Sequence, residues 1–157
     1  MFLMAYLAKS QDVKNTLALF TDPHATKVDG FNIGLEFQYQ RTYSFNKIHV
    51  FHFPKLNNID YTELTFSHGF NKHFGGIYND YRAFAEIQVG GIWRETNSMP
   101  YTKIGFYAGF EWYIPNTNLF VGFNAGADYA TDCKAWDSQM DAFWRSKNLY
   151  IKAGFQF

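Results

Sequence analysis

Residues 148–157 read N-L-Y-I-K-A-G-F-Q-F, and this stretch limits the fold more than any other. Leu149, Ile151, Ala153, Phe155 and Phe157 fall on one face of an extended chain, with Tyr150, Lys152, Gly154 and Gln156 on the other. Apolar and polar residues alternating with a period of two mark a strand with one apolar and one polar side. The same pattern recurs upstream. In 30–40, Phe31, Ile33, Leu35, Phe37 and Tyr39 alternate with Asn32, Gly34, Glu36, Gln38 and Gln40. In 80–94, Ala83, Ala85, Ile87, Val89 and Trp93 oppose Glu86, Gln88, Gly90 and Arg94. In 101–114, Ile104, Phe106, Ala108, Phe110 and Trp112 oppose Lys103, Gly105, Tyr107, Gly109 and Glu111. In 119–130, Val121, Phe123, Ala125, Ala127 and Tyr129 oppose Gly122, Asn124, Gly126 and Asp128.

Three weaker strands complete the set: 12–22, 47–53 and 59–70. Pro23, Pro54 with Asn57-Asn58, and the run Pro115-Asn116-Thr117-Asn118 punctuate them as turns. The expectation is an all-β fold: eight antiparallel strands in an up-and-down barrel formed by residues 12–157. With both ends of the barrel chain on one side, the connections 23–29, 54–58, 95–100 and 131–144 lie at the other, and 43–46 and 115–118 are short turns. The connection 71–79 is too long for that alternation.

Two architectures share this pattern: a soluble barrel that buries its apolar face, and a membrane barrel that turns it outward. Eight strands with about five apolar residues each would crowd some forty side chains into a lumen only just wide enough for side chains to fill. The opposite face holds Gly34, Gly69, Gly90, Gly105, Gly109, Gly122, Gly126 and Gly154. Glycine weakens a solvated strand but suits a tightly curved interior. The apolar face is therefore expected outside, making this a transmembrane barrel, with Trp93, Trp112, Tyr39 and Tyr129 near its rims. A soluble, lipocalin-like ligand-binding barrel with reversed faces is the alternative.

Fourteen basic and fourteen acidic residues cancel, so no bulk attraction to nucleic acid is implied. The only cysteine, Cys133, makes an intrachain disulfide impossible and lies outside any zinc-ligand spacing. Residues 2–8 form an apolar run of signal-peptide type without a positive segment before it, so 1–11 reads as a signal remnant, a short strand, or the continuation of an upstream start.

The closing strand, with Ile151, Phe155 and Phe157, resembles that of small eight-stranded outer-membrane β-barrel proteins of the Bacteroidota type, and the pattern extends over residues 15–157. Asp22-Pro23, Ala25, Lys27 and Gly30-Phe31-Asn32-Ile33-Gly34 resemble similar small barrels, including phage-associated ones. The resemblance implies residence in the bacterial outer membrane and contact with lipid or lipopolysaccharide. It also implies Ile151, Phe155 and Phe157 as the signal read by the barrel assembly machinery.

Glu36, Glu63, Glu86 and Glu111 lie at inward, mid-strand positions, with Arg94, Lys103 and Lys152 as candidate partners. Paired carboxylates can perform acid–base chemistry. With no accompanying nucleophile, a salt-bridged polar lumen is the simpler expectation. Ser67 and His68 are adjacent and point to opposite faces, as do His49 and His52, while His24 and His73 are isolated. These placements speak against a lipid- or lipopolysaccharide-modifying enzyme, and no cofactor or metal is expected. Asp132, Asp137 and Asp141 lack calcium-loop spacing. Trp136, Phe143 and Trp144 in the last loop are candidate contacts for an extracellular partner. The expected function is structural or adhesive, and non-enzymatic.

Overall fold

A computed structural model of the chain describes residues 14–23, 32–56, 59–76, 79–94, 101–130 and 147–157. Eight strands follow in order: β1 (Lys14–Thr21), β2 (Ile33–Gln40), β3 (Ser44–Leu56), β4 (Ile59–Gly76), β5 (Asn79–Arg94), β6 (Tyr101–Tyr113), β7 (Leu119–Ala130) and β8 (Lys147–Gln156). Each is antiparallel to the next, and β8 pairs back onto β1, so the sheet is a closed eight-stranded barrel. Closure removes the free edges that an open sheet of this size would expose.

Three boundaries differ from those read off the sequence. β3 runs through Pro54 to Leu56, and its pairing with β4 is irregular between Phe53 and Leu56. Proline cannot donate to the ladder, and here the strand absorbs it as an irregularity rather than stopping. The segment 71–79 is not a connection. β4 continues to Gly76 and pairs with β5 back to Asn79, with His73 opposite Arg82 and Phe74 opposite Tyr81. The Phe74 and Tyr81 rings stack with centroids 6.1 Å apart, and both meet Phe110. Cross-strand aromatic pairs thus extend a hairpin whose composition reads as loop. Finally, the β2–β3 turn falls at Arg41–Tyr43, where the Arg41 N–H donates to the Ser44 carbonyl at 2.7 Å. In the β6–β7 turn, Asn116 takes φ 60°, the left-handed region that asparagine tolerates.

At the loop end of β1, the side chain of Asn32 extends the ladder. Its Oδ1 accepts from the Asp22 N–H at 2.8 Å and the Thr21 hydroxyl at 3.0 Å, while Nδ2 donates to the Asp22 carbonyl at 3.0 Å. An amide side chain here completes backbone groups that the strand pairing no longer reaches. Asn32→Ala is expected to leave the barrel folded but to lose protection of the Asp22 amide in hydrogen exchange; unchanged protection would contradict this role.

The faces follow the alternation in every described strand. Leu35, Phe66, Ile87, Phe106, Phe123 and Ile151 point outward and are exposed, Phe106 to 62%. Glu36, Lys47, Thr65, Gln88, Lys103 and Asn124 point inward and are buried. The reversed, soluble arrangement is not the one this chain adopts. Tyr39 and Trp112 lie outward near the end that carries Lys14 and Phe157, called here the terminal end. Tyr129 lies outward near the opposite, loop end, where Trp93 is half-buried.

Candidate functional site

The interior is the site where charge is concentrated, and the strand period places it there. On β8, the successive inward positions Asn148, Tyr150 and Lys152 descend from the loop end toward the terminal end. Each belongs to a different layer of the lumen. Lys103, Tyr107 and Glu111 on β6 descend through the same three layers.

The layer toward the terminal end contains three carboxylates and three cations. Glu111 pairs with Arg82 through both oxygens: NH2 donates to Oε1 at 3.0 Å, and Nε lies 2.9 Å from Oε2. Lys152 Nζ bridges Glu111 Oε1 at 2.6 Å and Glu36 Oε1 at 2.9 Å. Lys47 Nζ lies 2.9 Å from Glu86 Oε2 and 3.5 Å from Glu36 Oε2. Gln38 and Gln40 accept from Arg82 at 2.7 and 2.9 Å, and the Tyr113 hydroxyl donates to Glu111 at 2.8 Å. All three cations surround one ring: Lys47 Nζ, Arg82 Cζ and Lys152 Nζ lie 4.1, 4.8 and 4.8 Å from the Phe84 centroid. A desolvated cation held over an aromatic face gains about 2 kcal/mol or more, and the ring keeps the three like charges apart. Buried charges on this scale persist only when paired, and here each has an opposite charge at 2.9 Å or less.

The middle layer is aromatic. Phe20, Phe51 and Tyr150 form a triangle with centroid separations of 4.9, 5.2 and 5.6 Å, and Tyr107 stacks on Tyr150 at 5.3 Å. His49 meets Phe20 at 5.5 Å and places Nε2 3.3 Å from Glu36 Oε2. Toward the loop end, Lys103 Nζ joins Glu63 Oε1 at 2.5 Å to Asp128 Oδ2 at 2.8 Å. Asp128 also accepts from the Tyr107 hydroxyl and from Asn148 Nδ2, each at 2.5 Å.

The inward glycines make room for these rings. Four inward aromatics sit directly opposite a glycine on the next strand: Phe20 on Gly34, Phe45 on Gly69, Phe84 on Gly109 and Tyr107 on Gly126. A Cβ at any of the four would overlap the facing ring. Large and small residues across facing positions are how a narrow lumen fills.

Of the charges expected inside, Glu36, Glu63, Glu86, Lys103, Glu111 and Lys152 are all buried there and ion-paired. Arg94 closes β5 opposite Tyr61, and its side chain lies outside the described ones. Sequence reasoning did not single out Lys47, Arg82 and Asp128 as lumen partners, although parity with Glu86 and Gln88 places Arg82 inward. Ile151, Phe155 and Phe157 lie outward at the β8–β1 seam. There Phe157 exchanges backbone bonds with Asn15 at 2.9 and 3.1 Å. Trp136, Phe143 and Trp144, the acids of the same segment, and Cys133 lie outside the described residues. Ser67 is buried inside and His68 exposed outside, so they do not meet.

No family model matches the chain, and no curated protein sequence matches it. The crystal structure of the N-terminal β-barrel domain of Pseudomonas aeruginosa OprF is similar in fold, with a TM-score of 0.55 and 12% identity. The match covers 94% of this chain and 98% of that one. At that identity the likeness concerns the fold: an eight-stranded, closed antiparallel barrel.

Proposed function

We propose that the chain is an integral outer-membrane β-barrel with a packed, non-enzymatic lumen, whose loop end makes contacts outside the cell. The observation that carries this reading is the inversion of the protein interior. Charges such as Arg82 and Lys103 are 0% exposed, whereas Phe70 is 68% exposed on the outer wall. Such a surface is stable against hydrocarbon and adhesive in water. The outward row from Ile104 to Trp112 on β6 approaches the roughly 9–11 tilted residues that a bilayer requires. Rims carrying Tyr39, Trp112 and Tyr129 fit the interfacial preference of aromatic side chains.

The loop-end contacts assigned to Trp136, Phe143 and Trp144 rest on the enrichment of tryptophan at binding hot spots. The outward aromatics at the β8–β1 seam, Phe155 and Phe157, are the surface the assembly machinery would read as that seam closes. The cross-linked charge layers and the aromatic layer between them favour a lumen that carries no steady current.

The protein extracted in detergent is expected to migrate faster on a gel unheated than boiled, and to give no stable channel in planar bilayers. A protein that stays soluble and monodisperse without detergent would refute the membrane reading. A persistent open conductance would refute the packed lumen.

A further inference from the structure

The outer wall is not apolar all the way round. Near the terminal end, the outward positions of β6, β7 and β8 are Trp112, Leu119 and Phe155. On β2, β3 and β4 the pairing register instead sets polar side chains next to each other in two rows. Tyr39 faces Asn46, and Asn46 faces His68. One row nearer the terminal end, Arg41 bonds back to Ser44, which faces Phe70. Side chains directly opposed on one face stand about 5 Å apart at Cβ, so the five polar groups form a single patch.

The patch is open and unspent. Arg41, Asn46 and His68 are exposed, and the Arg41 guanidinium lies 5.9 Å from the Tyr39 ring, which places it on the outer wall. The His68 Nδ1–H donates to Asn46 Oδ1 at 3.0 Å, which leaves the Asn46 amide NH2 for another acceptor. Among the described residues, no carboxylate pairs with Arg41. Directly toward mid-wall, the next row is Phe37, Ile48 and Phe66, all apolar and exposed.

A guanidinium with hydroxyl and amide donors, set beneath a strip of apolar side chains, complements an anionic head carrying an acyl chain. We propose that this face of β2–β4 binds one anionic phospholipid. Arg41 takes the phosphate, Ser44 and Asn46 donate to the head, and the acyl chain lies along Phe37, Ile48 and Phe66. The inference rests on the membrane reading, and its position at the terminal end assigns the lipid to the leaflet on that side.

The test is native mass spectrometry of the detergent-solubilised full chain with phosphatidylglycerol or phosphatidylcholine added. The barrel is expected to retain one phosphatidylglycerol in preference to phosphatidylcholine. Arg41→Ala and Asn46→Leu should each weaken retention about ten-fold, the cost of one charge-assisted or desolvated hydrogen bond. Arg41→Lys, which keeps the charge without the fork, should recover part of it. Equal retention of the two lipids, or variants that bind as the parent does, would overturn the proposal. So would a two-copy species lost in the same variants, because the patch would then be a contact between barrels. If the unboiled parent shows no mobility shift, the membrane reading itself fails. A barrel that shifts but does not discriminate the lipids fails on this inference alone.

Discussion

Glu111→Ala is expected to lower the stability of the folded barrel by about 3–5 kcal/mol, the typical cost of removing one partner from a buried ion pair. Glu111 meets Arg82 through both oxygens, Lys152 through one and the Tyr113 hydroxyl through the other. Without it, Arg82 keeps only amide oxygens from Gln38 and Gln40, and the three cations around the Phe84 ring have one fewer counter-charge. Glu111→Gln keeps some of the hydrogen bonds and should fall between the parent and alanine. Replacing both Glu111 and Arg82 by methionine should cost less than the two single changes added together, because no charge is then stranded. The measurement is urea unfolding in lipid vesicles followed by gel mobility. A loss below about 1 kcal/mol for Glu111→Ala would mean that water reaches the layer and screens it.

Gly34→Val tests how the lumen is filled. The nearest atoms to a Cβ at Gly34 all belong to the Phe20 ring, which sits directly opposite on β1. Over-packing of this kind costs about 1–3 kcal/mol, since either the ring leaves its triangle with Phe51 and Tyr150 or the strands separate. In a Phe20→Ala background the same valine should be neutral or stabilising, because it occupies space the ring has left. If Gly34→Val is equally harmful in both backgrounds, the glycine serves the backbone rather than the ring.

The period of two was enough to place most of the outward wall, because an alternation such as Ile104, Phe106, Ala108, Phe110 and Trp112 has one meaning in a strand. It also placed Glu36, Glu63, Glu86 and Glu111 on one side of the sheet. It did not say which cation each would meet. Lys152 reaches Glu36 across 116 residues of chain, and that pairing depends on the register of closure. The facing of Phe20 on Gly34, or Tyr107 on Gly126, is hidden for the same reason: parity is local, and register is not. The β4–β5 extension is hidden because Asn71–Gly76 has the composition of a loop, and the pairs that hold it as a strand lie on β5. The polar patch on β2–β4 was also unreadable, since Tyr39, Asn46 and His68 are neighbours only once three strands are aligned.

The long β4–β5 hairpin has a kinetic consequence. It lies in the middle of the chain and joins residues that are close in sequence, so it costs little loop entropy and can form first. Pairing can then spread to β3 and β6 and on toward both ends, leaving β1 and β8 to meet last. Until they meet, Lys152 has Glu111 on β6 but neither Glu36 nor a closed wall around it. A nearly complete sheet therefore leaves the Lys152–Glu111 pair open to lipid or water and Glu36 without one of its two lysines, while the finished barrel encloses them all. The folding barrier is accordingly expected at the seam, with closure abrupt and partly zipped forms short-lived.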